Sequence, residues 1–288
     1  MTNVIQQVIS SLEFVSIPAG TFWMGRPSPG TLSFDATEFA EPVHQVKVPA
    51  FMMSKHPVTR DQFNMYLREN NLPEAPFGLW TAFQGEQGYM GLTPQTYVSW
   101  DEAKAFCLWL GCRLPSEAEW EYACRARTAS KYYTGNEESD LNDAGWYAGN
   151  SGLIIHSTHS AESKEPNAFG LYGMHGNVWE WCEDAWFANY VDAPTDGTAN
   201  THLDLKAIRV IRGGSYRSAA KFCQSSFHGK CVQSTKIDDV GFRVAISVDK
   251  WFSLQRTYDC WGRSKFPKAD SVEQDVIDVP GRRIIDID

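Results

Sequence analysis

The stretch from Asn167 to Trp186, NAFGLYGMHGNVWEWCEDAW, constrains the fold of this chain more than any other. Gly170, Gly173 and Gly176 precede Trp179, Trp181 and Trp186, and Asn177, Glu180, Glu183 and Asp184 stand among them. Glycine permits positive φ and close backbone approach. Tryptophan buries a large apolar area and carries a polar handle. The mixture suits neither a regular helix nor a plain strand. It predicts a tightly wound core segment whose polar groups are held mostly by side chains rather than by a ladder.

Composition sets the outer bounds. With 288 residues, 43% hydrophobic and 13% aromatic, the chain can bury a large core as one large domain or two small ones. Its 22 glycines and 11 tryptophans favour a loop-rich fold over a helix bundle. A net charge of −9 argues against a nucleic-acid partner, which needs a basic face. No apolar run approaches the ~20 residues that cross a bilayer, so no membrane partner is expected. The opening MTNVIQQVISSLEF lacks the basic region and long apolar run of a signal peptide, which predicts a cytoplasmic protein. The seven cysteines include no CxxC pair and read as buried, reduced thiols rather than a zinc site.

Residues 1–12 read as a short helix or arm. Residues 13–25 alternate and read as a strand; residues 26–41 read as a loop. Residues 44–54 are β-like, with Pro49 marking an edge or a break. Three capping boxes announce helices: Thr59-Arg-Asp-Gln62, Ser99-Trp-Asp-Glu102 and Ser116-Glu-Ala-Glu119. In each, the hydroxyl can accept from the third helical amide while the Glu or Gln reaches back. Glu117, Glu119 and Glu121 suit the positive end of a helix dipole without any catalytic role. Residues 70–97 and 128–165 are long and irregular. Residues 208–211 and 241–246 read as strands. Residues 249–288 form an extension expected to pack partly on the domain, with the last ten or so suited to β-addition or partner binding.

GLYGMHGNVWEW, together with RLPSEAEWEYA from Arg113, the RGGS block Arg212–Ser215, Gly241-Phe-Arg243 and the opening FVSIPAGTFWMG, resembles the formylglycine-generating-enzyme (sulfatase-modifying-factor) family. The blocks keep the family's order over about residues 12 to 247. The resemblance implies one α+β, loop-rich domain over residues 13–248, with a fold related to C-type lectins. Oxidase members carry two cysteines after RGGS that bind copper(I) and act in converting a substrate cysteine to formylglycine. Cys223 falls at the second of these positions and Ser218 at the first. A hydroxyl is a hard, poor ligand for copper(I), so the copper pair is incomplete. Cys231, eight residues further on, and His228 are candidate substitutes.

The resemblance also places Ser215 and Trp179 in the family's oxygen pocket, while as residues alone they read equally as a turn serine and a core tryptophan. It further implies a calcium at the side chain of residue 173, the carbonyls of Gly176 and Val178 and the Glu180 carboxylate. Glycine at 173 removes one ligand. Arg243 is expected to be a buried cation paired with Glu180 or Asp184. His156 and His159 read as residues of a solvated loop, and His175 as a hydrogen-bonded core histidine. There is no nucleophile elbow, phosphate loop or GxGxxG.

Two functions follow. The first is an oxidoreductase acting on a peptide or peptide-derived substrate, since some members without the cysteine pair mature such metabolites. Its candidate catalytic residues are Cys223, Ser215, Trp179, Ser218 and His228, and its substrate-binding residues Tyr216, Arg217 and Trp179. The second is a binding module for a ligand or protein, in the manner of lectin-fold variable proteins or of a regulatory paralogue.

Overall fold

The structure is a computed structural model that describes residues 4–25, 40–74, 93–152, 158–201 and 207–258, and the backbone strand Asp275–Val276. Helix α1 (Val4–Ser11) leads in, with Val8, Ile9 and Leu12 buried. The single strand expected over residues 13–25 is two, β1 (Phe14–Ile17) and β2 (Gly20–Met24). Pro18 falls between them and has no N–H to give a ladder. Pro49 likewise separates β3 (His44–Val48) from β4 (Phe51–Ser54).

Helices α2 (Arg60–Glu69), α3 (Trp100–Trp109) and α4 (Glu117–Arg125) start at the three capping boxes, and both reciprocal bonds form in each. Short α5 (Leu141–Ala144) and β5 (Gly145–Trp146) interrupt the irregular middle of the chain. Then come β6 (His175–Gly176), β7 (Trp179–Ala185), β8 (Ile208–Arg212) and β9 (His228–Val232). The chain continues through β10 (Val240–Gly241), β11 (Ala245–Ser247), α6 (Val248–Tyr258) and β12 (Asp275–Val276).

The central stretch differs from its expected form. Only its first half is wound by side chains. There the Asn167 carboxamide accepts from the Phe169 and Leu171 amides and donates to the Ala123 carbonyl. Its second half is β7, a strand inside the four-stranded sheet β10-β7-β8-β9. β7 runs parallel to β10 and antiparallel to β8, with an irregular register between Trp181 and Ala185. β9, which has no alternating apolar signature, is held by its ladder to β8. The interval 241–246 is broken into β10 and β11, which join different sheets. β11 extends the antiparallel β1-β4 pair, and β2 lies between parallel β12 and antiparallel β3. Residues 26–39, 75–92 and 277–288, on which two loop expectations and the partner-tail expectation largely fall, lie outside the described residues.

Successive strand side chains point to opposite faces, and β7 uses this to feed two cores. Trp181 enters the first, with Phe63, Phe106, Phe242 and Trp251. Cys182 enters the second, with Trp120, Tyr122, Phe22 and Phe51. The indole N–H groups are satisfied inside: Trp181 donates to the Val98 carbonyl at 3.0 Å and Trp100 to the Cys182 carbonyl at 2.7 Å. Trp251 of α6 packs on Phe14 with ring centroids 4.8 Å apart, so the start of the extension is part of the first core.

Trp181→Ala is expected to lower the unfolding free energy by about 3–5 kcal/mol. Leu108→Ala, at a position 64% exposed, should change it by less than about 0.5 kcal/mol. Urea unfolding of the two variants checks the pair, and equal losses would mean that Trp181 is not a core anchor.

Candidate functional site

The RGGS block leaves β8 through two residues at positive φ, Gly213 at 94° and Gly214 at 76°. A side chain would also be crowded at both. A Cβ on Gly214 would stand 2.5 Å from the Cys223 sulfur, and one on Gly213 would stand 3.1 Å from the Trp120 ring. The turn therefore lies flat on these two side chains and delivers Ser215 to the floor of a small polar site. Ser215 is fully buried. Its amide donates to Ser218 Oγ at 3.0 Å, the two hydroxyls are 3.0 Å apart, and Ser215 Oγ donates to Asp239 Oδ2 at 2.9 Å. Ser218 Oγ, having accepted from an amide, can pass its own proton to Ser215, so the chain of bonds ends on the Asp239 carboxylate. Burial raises the Asp239 pKa, while Ser215 and Arg217 oppose the rise.

Trp179 joins this group through its amide, which donates to the Asp239 carbonyl at 2.8 Å, and its ring leans on Phe227. Arg217 is exposed; its guanidinium pairs with Asp238 and lies 3.6 Å from Asp239. It also donates to the Tyr216 hydroxyl. Ser215, Ser218, Trp179, Tyr216 and Arg217 are thus brought together, with Asp239 added. Asp239 carried no signal of its own beyond lying two residues before Gly241-Phe-Arg243.

The other expected members go elsewhere. Cys223 is fully buried under Gly214, in a small core with Tyr132, Leu141 and Tyr147, and its thiol points at the Ala219 carbonyl at 3.9 Å. Burial pushes this thiol well up, so it is held protonated. Cys231 is half-buried on β9 and packs against the first core. His228 lies three positions earlier on the same strand, and an odd separation places it on the opposite face. Its Nδ1 faces Glu117 Oε1 at 3.1 Å, beside Tyr190 and Trp186. That side opens as a shallow cleft lined also by Asp184, Phe187 and Asn200. Cys223, Cys231 and His228 share no contact, and the donor set does not fit copper(I).

The calcium positions do not fit their ion either. Both Glu180 oxygens are taken: Oε1 accepts from Arg243 Nη2 at 2.8 Å, and Oε2 accepts from Arg243 Nε at 2.6 Å and Trp120 Nε1 at 2.7 Å. The guanidinium also donates to the carbonyls of Tyr172 at 2.8 Å and Ser54 at 3.2 Å. Gly173 is at φ 66°, and a Cβ there would lie 4.0 Å from the same guanidinium. Arg243 supplies the positive charge beside Glu180, leaving Gly176 and Val178 without the carboxylate a calcium needs. The Arg243 pairing takes the first of its two expected partners; Asp184 instead accepts from the amides of Glu117 and Asn200 at 2.7 Å each.

Glu117 and Glu121 do more than suit a helix dipole. Four residues apart on α4, they share one face and grip the fully buried Arg212. Burial would raise Glu117, but His228 and Arg212 prevail and hold its carboxyl below the usual range. His159 stacks on Trp146 at 3.8 Å rather than standing in solvent, and its backbone pairs with the Asn177 carboxamide in both directions. His175 is a core histidine: Nδ1 donates to the Cys223 carbonyl at 2.7 Å, and Nε2 accepts from the Tyr133 amide at 3.1 Å.

A loop-rich α+β domain with this RGGS turn defines the class, a fold of the formylglycine-generating-enzyme type related to C-type lectins. Residues 3–248 match the sulfatase-modifying factor enzyme 1-like domain, and the chain belongs to that formylglycine-generating-enzyme family. It is 27% identical over 257 residues to a formylglycine-generating enzyme of Thermomonospora curvata, covering 73% of this chain and 84% of that one. The structure of PvdO from Pseudomonas aeruginosa superimposes with a TM-score of 0.71 at 28% identity, covering 82% of this chain and 94% of that one. Treponema denticola variable protein 1 shares the fold, with a TM-score of 0.64 at 24% identity over 81% of this chain and 94% of that one. No helix among the described residues is long and apolar enough to cross a membrane.

His175 gives this site a pH signature. Burial pushes its pKa down to about 4, against about 6.5 in an unfolded chain. Between these values the unfolded state binds the extra proton. The stability due to neutral His175 is therefore complete above pH ~6.5 and falls by roughly 3 kcal/mol as the pH drops towards 4. Urea midpoints of wild type and His175→Gln across this range should converge at low pH. Parallel curves would contradict the assignment.

Proposed function

We propose that this chain binds a peptide or peptide-derived molecule over Trp179, Tyr216, Arg217 and Ser218, without copper–thiolate chemistry. The observation that carries the reading is Ser218 at the first cysteine position, with its hydroxyl bonded to Ser215 above a protonated, fully buried Cys223. Inert buried thiols of this kind are structural. The exposed part of the surface suits a peptide: Trp179 gives a half-buried aromatic face, and Arg217 gives a guanidinium for a carboxylate or carbonyl. The cleft beside His228 belongs to another face of the sheet and has no part in this reading.

A second reading keeps an oxidoreductase at the same surface. It is supported by the similarity to the T. curvata formylglycine-generating enzyme along most of that enzyme's length. In it Ser215, Ser218 and Asp239 form a hydrogen-bonded wall beside the substrate, with dioxygen as the oxidant. Neither copper nor calcium enters either reading, because neither donor set fits.

The test pairs metal with ligand. The reduced protein should take up no copper(I) that Cys223→Ser removes, and it should consume no oxygen. On an array of random-sequence peptides it should select a motif whose affinity falls about tenfold in Arg217→Ala and in Trp179→Ala. Oxygen consumption with a selected peptide would replace the binding reading by the oxidoreductase one, and Cys223-dependent copper uptake would overturn both.

A further inference from the structure

Three segments far apart in sequence bring Glu13, His56 and Glu162 together. Glu13 follows α1, His56 follows β4, and Glu162 comes from the loop before the central stretch. One ligand atom from each lies within 4.8 Å of the others, and no other trio of His, Cys, Asp or Glu does so among the described residues. A cation already stands between the two carboxylates: Lys55 Nζ is 3.1 Å from Glu13 Oε2 and 2.8 Å from Glu162 Oε1. Yet His56 is not used. Its side chain is only 2% exposed, Nδ1 has no partner, and Nε2 faces Glu162 Oε1 at 3.9 Å, beyond hydrogen-bond range. A buried imidazole nitrogen without a hydrogen bond is unfavourable, and a ring held beside two carboxylates but bonded to neither is poised to take a cation.

We propose that Glu13, His56 and Glu162 form a site for a borderline divalent transition ion of the zinc class, for which the Lys55 ammonium competes. One imidazole and two carboxylates are a zinc-type donor set, completed by water. Calcium, which wants six to eight oxygens, is disfavoured by the nitrogen and by the few oxygens. Glu13 and Glu162 are partly exposed and can close on the ion by side-chain rotation alone. Lys55 has a place to withdraw to, since its ammonium already lies 5.2 Å from the centre of the Tyr172 ring. The ion would join the start of β1 to the loop carrying Glu162. This site is independent of the peptide-binding surface, and its test needs no activity.

The experiment is titration of the full-length, reduced protein with Zn²⁺ against a chelator, with Co²⁺ as the optical probe. Co²⁺ at this oxygen and nitrogen set should give visible d–d bands without thiolate charge-transfer absorption, which separates it from metal held by the cysteines. Glu162→Gln and His56→Ala should each weaken Zn²⁺ binding at least about tenfold, and Lys55→Met should tighten it about tenfold by removing the competing charge. Glu162 is partly exposed, so its variant keeps the fold even if His56→Ala does not. Equal Zn²⁺ affinity in wild type, Glu162→Gln and Lys55→Met would overturn the proposal. So would Ca²⁺ binding as tight as Zn²⁺ that is lost in Glu162→Gln, which would mark a simple acidic cluster.

Discussion

The ion pair between Glu180 and Arg243 is the contact on which the rest of the structure depends. Both side chains are fully buried. A buried pair repays its desolvation only when geometry is good and the remaining polar atoms are satisfied. Here both conditions hold, because Trp120 completes Glu180 and the Ser54 and Tyr172 carbonyls complete Arg243. The partners come from β7, α4, the end of β4, the wound half of the central stretch and the link between β10 and β11. One guanidinium thus fixes two sheets, a helix and a loop. Removing either charge would strand the other in a medium that cannot solvate it.

A second buried cation, Arg212, does similar work one turn away. It is held by Glu121 and Glu117, and Glu121 in turn pairs with Arg125 at 2.8 Å. Together the two networks hold the RGGS turn from both ends: Arg212 begins it, and Trp120, which touches Glu180, lies under Gly213. The surface above therefore has a buried, hydrogen-bonded floor and an exposed, charged rim. Ser215 and Ser218 are locked into bonds with Asp239, whereas Arg217 reaches outward. Such a division suits recognition of a ligand by the rim, and it explains why a serine at the first cysteine position is tolerated. The hydroxyl finds partners that a thiol would satisfy poorly.

The local signals of the chain were legible wherever the chemistry is local. A hydroxyl three residues before a Glu or Gln starts a helix for reasons contained in four residues, and all three boxes formed. Proline breaks were legible in kind, although residues 13–25 read as one strand because their alternation continues across Pro18. β9 and β7 were not legible. β9 gains its strand form from a neighbour distant in sequence, and the glycines before β7 disguised where winding ends and the ladder begins. Ser215, Ser218, Trp179, Tyr216 and Arg217, which the family motif grouped, lie near one another around Asp239. The motif failed for His228 and Cys231 because spacing along the chain says nothing of strand faces until the segment is known to be a strand.

Family, fold class, helix starts, the defect at Ser218 and the missing side chain at residue 173 are all readable from the residues alone. Each of these is a matter of residue identity at a position, and identity survives without coordinates. Only the tertiary structure decided that Arg243 supplies the positive charge beside Glu180, that Cys223 is sealed under Gly214, and that Glu117 and Glu121 grip Arg212. It alone brought Glu13, His56 and Glu162 to one point. Desolvation, charge pairing and ligand geometry depend on which groups meet after folding, and most of these groups are separated by long stretches of chain.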